Sequence, residues 1–204
     1  MRRAQLVIML KQPRAGQVKT RLGRDIGMTA AAWWFRHQIR RLLREMNDPR
    51  WQITLSVAPD TTATNPAPWP QHLPIIPQGR GDLGTRMARI LHTNPARLPA
   101  GPACIIGGDI PAIRRAHIAR AFQRLGNHDA VFGPATDGGF WLVGMKRTTP
   151  PPRALFQNVR WSTRHALSDS IATMGHARIA QIDRLQDIDT VNDLGKDLDV
   201  APRA

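Results

Sequence analysis

The sequence contains a single cysteine, Cys104, and no apolar run that approaches the length of a membrane span. One cysteine in 204 residues excludes an internal disulfide and is typical of proteins in reducing compartments. The apolar stretch near the N-terminus ends at Lys11 after about five residues. A signal peptide needs about 7–15 apolar residues and a membrane helix needs ~20. We therefore expect a cytoplasmic protein without a membrane span.

Short motifs of several common enzyme classes are also missing. The loop that follows the first predicted strand carries neither the P-loop pattern G-x-x-x-x-G-K-[ST] nor the dinucleotide-binding pattern G-x-G-x-x-G. Neither G-x-S-x-G nor H-E-x-x-H occurs in the chain, and the seven histidines are dispersed without the spacing of zinc ligands. The sequence gives no support to serine- or zinc-based hydrolysis.

Positive charge is abundant, but it is carried almost entirely by arginine. Only four of the 29 lysine and arginine residues are lysine, and the formal net charge is +14. The densest basic group, Arg36, His37, Arg40, Arg41 and Arg44, has helical spacing and is interpreted as a solvated helix face. This charge supports weak, salt-sensitive contact with polyanions, but we expect no specific nucleic-acid partner.

Apolar stretches typical of strands alternate with stretches of helical spacing. Strands are predicted at residues 4–11, 52–58, 103–107, 129–132, 140–145 and 177–182. Helices are predicted at residues 29–46, with Thr29 as N-cap, and at 83–92, 113–125, 163–174 and 191–198. Residues 59–77, rich in proline and threonine, are predicted to form a long surface loop. The alternation predicts an α/β fold in one domain, residues 1–204, with a mainly parallel sheet and helices on both faces.

The loop after the first strand is a candidate binding site, because ligands of open α/β sheets lie at the carboxyl ends of the strands. Lys11, Gly16, Lys19 and Arg21 place three cations and one glycine within eleven residues. The glycine would let the backbone approach a polyphosphate, and the cations would neutralise the phosphate charge. An exposed basic turn explains the same residues, so both interpretations stay open at this point.

Asp109 follows the strand at 103–107 after two glycines, which places a carboxylate in the predicted crevice. Mg²⁺ prefers one or two carboxylates together with phosphate oxygens and water, so Asp109 would need one partner. The candidates are the late aspartates Asp183, Asp187, Asp189 and Asp193. Helix capping is the alternative role for Asp109 and for most of these aspartates.

Two glycine-rich segments are further candidates. Residues 78–87 contain three glycines ahead of a predicted helix and suit a backbone that lies against a flat base. Residues 133–141 place Asp137, Gly138 and Gly139 between two predicted strands. An ordinary turn explains either segment equally well.

Six segments, in order along the chain, carry a resemblance to a known family. They are Lys11-x-Pro13-x-x-Gly16-x-Val18-Lys19-Thr20-Arg21-Leu22, Gln78-Gly79-x-Gly81-Asp82-Leu83-Gly84-x-Arg86-Met87, Gly107-x-Asp109-x-Pro111, Gly133-Pro134-Ala135-x-Asp137-Gly138-Gly139, Leu155-Phe156 with Trp161, and Asp187-x-Asp189-Thr190-x-x-Asp193-Leu194. The chain resembles the DUF2064 group of bacterial glycosyltransferase-like proteins in the GT-A, or nucleotide-diphospho-sugar transferase, superfamily. The resemblance implies the Rossmann-like fold of that superfamily. It also implies Mg²⁺ or Mn²⁺ as the cofactor.

The resemblance also implies roles for individual residues. The nucleotide-binding residues are Lys11, Gly16, Lys19, Thr20, Arg21, Gln78, Leu83, Gly84 and Thr85. The metal ligands are Asp109 and Asp189, and the catalytic residues are Lys19, Arg21 and Asp109. The acceptor is expected against Asp137, Gly138, Gly139 and Trp141. Two positions depart from the family pattern, because Gly108 replaces the usual serine and Phe140-Trp141 replaces a tyrosine-rich pair, which alters the acceptor pocket.

Three hypotheses about function follow. In the first, an acceptor phosphate attacks the α-phosphorus of a nucleoside triphosphate and pyrophosphate leaves. In the second, an NDP-sugar donates its glycosyl group and the metal binds the diphosphate leaving group. The loop Lys19-Thr20-Arg21 favours the first, because a triphosphate needs these cations more than an NDP-sugar does. The third is a non-catalytic nucleotide or polyanion binder, which a large separation between Asp109 and Asp189 would favour.

Overall fold

The computed structural model describes residues 3–64, 69–92 and 98–194, in which strands and helices alternate. The strands are β1 Ala4–Lys11, β2 Trp51–Ala58, β3 Ile75–Pro77, β4 Ala103–Gly107, β5 Ala130–Pro134, β6 Phe140–Met145 and β7 Ile179–Gln181. The helices are α1 Thr20–Ile26, α2 Met28–Met46, α3 Thr61–Thr64, α4 Leu83–Leu91, α5 Arg115–Arg124, α6 Ala166–Ala172 and α7 Val191–Leu194.

The strands form one seven-stranded sheet in the order β3-β2-β1-β4-β6-β5-β7. The pairs β1–β2, β1–β4, β2–β3 and β5–β7 are parallel, and only β6 runs antiparallel to its neighbours β4 and β5. The mainly parallel α/β fold is therefore confirmed. The carboxyl ends of β1 and β4 lie side by side at the centre of the sheet, so the loops after them meet at one edge.

Alternating side chains of the strands pack into two separate hydrophobic cores, one on each face of the sheet. Along β1, Leu6, Ile8 and Leu10 pack against the buried face of α2 and against α5. Val7 points to the other face, where residues of α4 and α6 cover the sheet. This period-2 pattern explains why the central strands are apolar throughout, since both of their faces are buried. Helices on both faces were predicted, and this is confirmed.

The exposed face of α2 carries the basic group noted in the sequence. His37, Arg40, Arg41 and Arg44 are exposed, while Phe35, Ile39, Leu42 and Met46 on the opposite side of the helix are buried in the core. The Arg36 guanidinium lies 5.4 Å from the ring centre of Trp33, which is itself exposed. Among the described residues, no helix has the length and apolar character needed to cross a lipid bilayer.

Several local predictions were wrong. The proposed loop 59–77 contains α3 and the edge strand β3, which pairs with β2 through Leu55 and Ile75. A three-residue strand is too short to show any periodicity, so only its pairing reveals it. Thr29 lies inside the first turn of α2, and the N-cap residue is Gly27. The last helix is described as far as Leu194, so its predicted continuation lies outside the described residues.

Candidate functional site

A two-part crevice opens at the carboxyl ends of β1 and β4. The first part, here called the trough, has a volume of about 680 Å³ and contains five basic side chains, Lys11, Lys19, Arg21, Arg86 and Arg164. The second part, here called the chamber, has a volume of about 280 Å³ and is lined mainly by apolar side chains. The two parts share residues at their junction, which include Leu83, Asp109, Asp137 and Asp187. Both volumes suit small-molecule ligands.

Lys19 occupies the centre of the trough. Its ammonium nitrogen lies 2.7 Å from Asp109 Oδ2 and 3.0 Å from Asp189 Oδ1. The backbone of Lys19 has a left-handed conformation, with φ of 47°, and α1 begins at the next residue. Burial by itself would lower the pKa of Lys19, but the two neighbouring carboxylates raise it above its usual value. Lys19 is therefore a charged group that holds two carboxylates together.

The rest of the first loop surrounds this ion pair. Arg21 donates from Nη1 to Asp189 Oδ2 at 2.8 Å, and its side chain is 70% exposed. Thr20 and Lys11 also line the trough. Gly16 lies in the turn of this loop, with a φ of 75° that side-chain-bearing residues rarely adopt, and it is not among the residues that line the trough. Its contact with phosphate stays a prediction.

Asp109 reaches the trough because two glycines precede it. A Cβ at position 107 would lie 3.0 Å from Asp109 Oδ1, and a Cβ at position 108 would lie 2.3 Å from Leu10 Cδ2. Gly108 therefore leaves space for a core leucine where the related family usually has serine. The alternative role of Asp109 as a helix cap does not hold, since the N-cap residue of α5 is Arg114.

Asp189 is positioned by Asp193, one of the other late aspartates. Asp193 Oδ2 accepts hydrogen bonds from the backbone N–H of Asp189 at 3.2 Å and of Thr190 at 2.8 Å. The backbone N–H of Ile188 donates to the carbonyl of Asp109, which ties the loop to the exit of β4. These contacts fix Asp189 beside Lys19, so Asp193 has the capping role that the sequence suggested for most of the late aspartates.

Asp187 is a further acid of the site, which the sequence named only as one candidate among four. It lines both the trough and the chamber. Burial, together with the negative charges of Asp109 and Asp189, raises the pKa of Asp187 to about 6. Burial is the larger cause, and each neighbouring carboxylate further disfavours ionisation. Sequence alone could not separate Asp187 from the other candidates, because all four aspartates lie within eleven residues of one another.

Gln78 lines the trough, but its side-chain amide is hydrogen-bonded to the protein. Its amide nitrogen donates to the carbonyls of Leu10 at 3.0 Å and Ser56 at 2.9 Å, and its amide oxygen accepts from Arg86 at 3.1 Å. The side chain is buried, so it joins β1 and β2 to α4 from beneath the trough. Contact between this amide and a base would require these hydrogen bonds to break, which disfavours the role expected from the sequence.

Of the three residues at the start of α4 that were predicted to bind the nucleotide, Leu83 lines the crevice. Leu83 is 43% exposed and lines both parts of the crevice. Thr85 lines neither part, because it faces a separate surface groove and its backbone N–H donates to the N-cap Asp82 at 2.8 Å. Gly84 is buried, and its missing side chain makes room for protein atoms and not for a base.

Gly84→Ala tests that packing role. An added Cβ would lie 2.7 Å from Trp161 Cζ2 and 2.9 Å from the carbonyl oxygen of Phe156, and the carbonyl cannot rotate away. We expect the free energy of unfolding to fall by about 1–3 kcal/mol, as is usual for overpacked cores. Chemical denaturation measures the change. A variant as stable as the wild type would show that α4 can shift and that close packing does not require glycine at position 84.

The segment expected to contact the acceptor lies at the junction. Asp137 lines both parts and accepts a hydrogen bond from the backbone N–H of Gly139 at 2.8 Å. Gly138 has a φ of 88° and packs against the backbone of Arg164. Trp141 lines the chamber but is only 3% exposed, and its indole N–H donates to the carbonyl of Asp183 at 2.9 Å. Trp141 therefore forms the wall of the chamber and does not project into it.

The comparison with known families gives one match. Residues 42–163, more than half of the chain, match the family described as "Uncharacterized protein conserved in bacteria (DUF2064)". None of the curated proteins matches the chain in sequence.

Solved structures share the fold. A protein of Desulfovibrio desulfuricans G20, provisionally described as a nucleotide-diphospho-sugar transferase, is 26% identical with a TM-score of 0.81, covering 95% of this chain and 85% of that one. Rv0371c of Mycobacterium tuberculosis H37Rv, in complex with manganese, is 15% identical with a TM-score of 0.53. The match covers 98% of this chain and 100% of Rv0371c. CMP:2-keto-3-deoxy-manno-octonic acid synthetase, in complex with CTP, is 11% identical with a TM-score of 0.55, covering 95% and 96%. The fold is thus that of the nucleotide-diphospho-sugar transferases.

Proposed function

This chain belongs to the DUF2064 family of bacterial proteins, and we propose that it is a divalent-metal-dependent transferase acting on a nucleotide. One observation carries the proposal: Lys19 holds Asp109 and Asp189 together in a trough that also contains four other basic side chains. A cluster of cations beside two convergent carboxylates suits a polyphosphate bound with a metal ion. Related folds that act on nucleotides, or that bind manganese or CTP, support the same reading.

Asp109 and Asp189 are the residues that would hold the metal. Both carboxylates reach one cationic atom, Lys19 Nζ, so their oxygens converge on a point where positive charge is already favoured. Two carboxylates suit Mg²⁺ or Mn²⁺, because these ions take one or two carboxylates and complete their shell with phosphate oxygens and water. Such an ion would neutralise charge on the phosphates and on the leaving group.

The chain's own side chains would do the remaining work. Lys19 and Arg21 contact Asp189, and both line the trough in which the phosphates of a nucleotide would lie. Transfer at phosphorus needs positioning and charge neutralisation and no covalent nucleophile. Nucleotidyl transfer from a nucleoside triphosphate to a small phosphorylated acceptor is our lead reaction, because five basic side chains exceed what a diphosphate requires.

Glycosyl transfer from an NDP-sugar is the second candidate. It is favoured by the likeness to the Desulfovibrio desulfuricans protein, which is provisionally described as a nucleotide-diphospho-sugar transferase. A non-catalytic nucleotide binder is less well supported than either reaction, because Asp109 and Asp189 lie together and not on opposite sides of the sheet. We place the reaction in the cytoplasm, where a single buried thiol stays reduced.

A thermal-shift screen tests the proposed function. The protein is heated with each nucleoside triphosphate and with representative NDP-sugars, with and without Mg²⁺. A ligand at a hundred times its Kd stabilises the folded state by ~2.7 kcal/mol. We expect stabilisation that requires both nucleotide and Mg²⁺. Equal stabilisation by every polyanion, independent of Mg²⁺, would reject a specific nucleotide site and leave only charge-driven binding.

Arg21→Ala is expected to weaken nucleotide affinity while leaving stability almost unchanged. The Arg21 side chain is 70% exposed, and an exposed ion pair such as the one with Asp189 is worth ~0–1 kcal/mol. Arg14→Ala is the matched control, since Arg14 is an exposed arginine of the same loop and does not line the trough. Calorimetry gives the affinities. Unfolding of the Arg21 variant with unchanged nucleotide binding would show that Arg21 serves the fold.

A further inference from the structure

The chamber differs chemically from the trough. Every side chain that lines the chamber without also lining the trough is apolar or belongs to glycine: Met87, Ile105, Ile106, Ile110, Ala135, Gly139, Phe140, Trp141, Val143, Trp161 and Ala166. The polar groups, Asp109, Asp137, Asp187, Ser162 and Thr163, all lie at the shared junction. The crevice therefore changes from charged to apolar along its length.

Aromatic rings form much of the inner wall. The ring centroids of Phe140 and Trp161 are 6.1 Å apart in an edge-to-face arrangement, and Phe156 lies 6.3 Å from Phe140 behind them. The indole N–H of Trp141 is bonded to the carbonyl of Asp183, and the indole nitrogen of Trp161 is buried within the protein. Beyond the junction, hydroxyl groups of a sugar would therefore enter this space without an accessible partner among the described side chains, and an unpaired buried hydroxyl is costly. An apolar ring or branched chain would enter it favourably.

The volume sets the size of the group. An apolar cavity of about 150 Å³ is large enough to bind benzene, and the chamber has about 280 Å³. It therefore has room for one ring with a short substituent. Leu83, 43% exposed at the junction, extends the apolar surface towards the trough.

We infer that the chamber binds the apolar body of the acceptor, an aryl, alicyclic or branched aliphatic group, whose reacting polar group lies at the junction beside Asp109. The word acceptor rests on the proposed function, whereas the binding of an apolar group does not. A sugar, whether from a donor or from an acceptor, is the competing occupant and would require hydrogen bonds that the inner side chains do not provide.

Benzyl alcohol and glucose are suitable probes, because both are neutral and only the first has an apolar body. Protein labelled with ¹³C at the methionine methyls reports the site, since Met9 and Met87 line the chamber and the exposed Met28 does not. We expect benzyl alcohol to shift the Met9 and Met87 signals saturably, with a Kd at least about tenfold below that of glucose. Tighter binding of glucose, or shifts that include Met28 equally, would overturn the inference.

A variant that fills the chamber gives an independent check. Ala166→Leu should weaken the binding of benzyl alcohol at least about tenfold. Ala172→Leu, on the exposed side of the same helix, should bind benzyl alcohol as the wild type does. Equal weakening of benzyl alcohol binding by both variants, or no weakening by either, would contradict binding in the chamber.

In a second experiment, Mg²⁺ and a nucleoside triphosphate are added to the wild-type sample. Binding of benzyl alcohol without binding of the nucleotide would reject the proposed function and support this inference. Binding of the nucleotide without binding of benzyl alcohol would support the proposed function and reject this inference.

Discussion

Asp109→Asn is expected to bind Mn²⁺ together with a nucleoside triphosphate at least about a hundredfold more weakly than the wild type does. Changes to groups that only support a metal ligand cost 10–100-fold, so loss of a direct ligand should lie at or beyond the upper end. The substitution keeps the size of the side chain and removes its charge. It also removes one of the two carboxylates that contact Lys19. Titration of the Mn²⁺ electron paramagnetic resonance signal measures the bound fraction.

Asp129→Asn is the control for that experiment. Asp129 is a surface aspartate beside Arg178, with 3.6 Å between the charged atoms, and it does not line the trough. We expect its metal and nucleotide affinities to match those of the wild type. If Asp109→Asn binds Mn²⁺ and nucleotide normally while its thermal midpoint falls, then Asp109 serves only as the partner of Lys19, and the metal assignment is wrong.

Lys19→Ala is expected to weaken nucleoside triphosphate binding about ten- to hundredfold, and to weaken nucleoside diphosphate binding less. A lost charge-assisted hydrogen bond is worth about 1.5–3 kcal/mol, and the triphosphate carries the additional phosphate that needs the cation. Calorimetry with each ligand at fixed salt and Mg²⁺ gives the comparison. Equal losses for the two ligands would favour glycosyl transfer over nucleotidyl transfer.

The same variant should behave differently towards the metal alone. Without Lys19, Asp109 and Asp189 face each other without the cation that now separates them. We therefore expect Lys19→Ala to bind Mn²⁺ more tightly than the wild type when no nucleotide is present. Weaker binding of both metal and triphosphate would show that Lys19 is needed to build the site, and thermal denaturation of the ligand-free variant would reveal that role.

The sequence predicted the elements that are long and apolar. Strands β1, β4 and β6 were found at their predicted positions, because each is a continuous apolar run buried on both faces of the sheet. Strand β3 was missed, because its three residues are held by pairing with β2 and carry no pattern of their own. The antiparallel direction of β6 is likewise a property of its partners and not of its composition.

The sequence predicted which charged residues form the site better than it predicted the directions of the other side chains. Lys19, Asp109 and Asp189 are separated by long stretches of sequence. The rule that strand exits share one edge of a sheet placed Lys19 and Asp109 together, and the family resemblance selected Asp189 from four candidate aspartates. The inward direction of Gln78 and the burial of Trp141 depend on carbonyls that other segments supply. The chamber was not foreseen, since its walls come from β4, β6 and residues near α6, whose apolar side chains also suit an ordinary core.

A crystal structure with Mn²⁺ and a non-hydrolysable nucleoside triphosphate analogue, measured at the manganese absorption edge, tests the central claim most directly. We expect one anomalous peak bound by Asp109 and Asp189, with the phosphates in the trough and with Lys19 and Arg21 turned towards them. A bound nucleotide with the contacts from Lys19 to both carboxylates intact, and with manganese elsewhere or absent, would contradict the account.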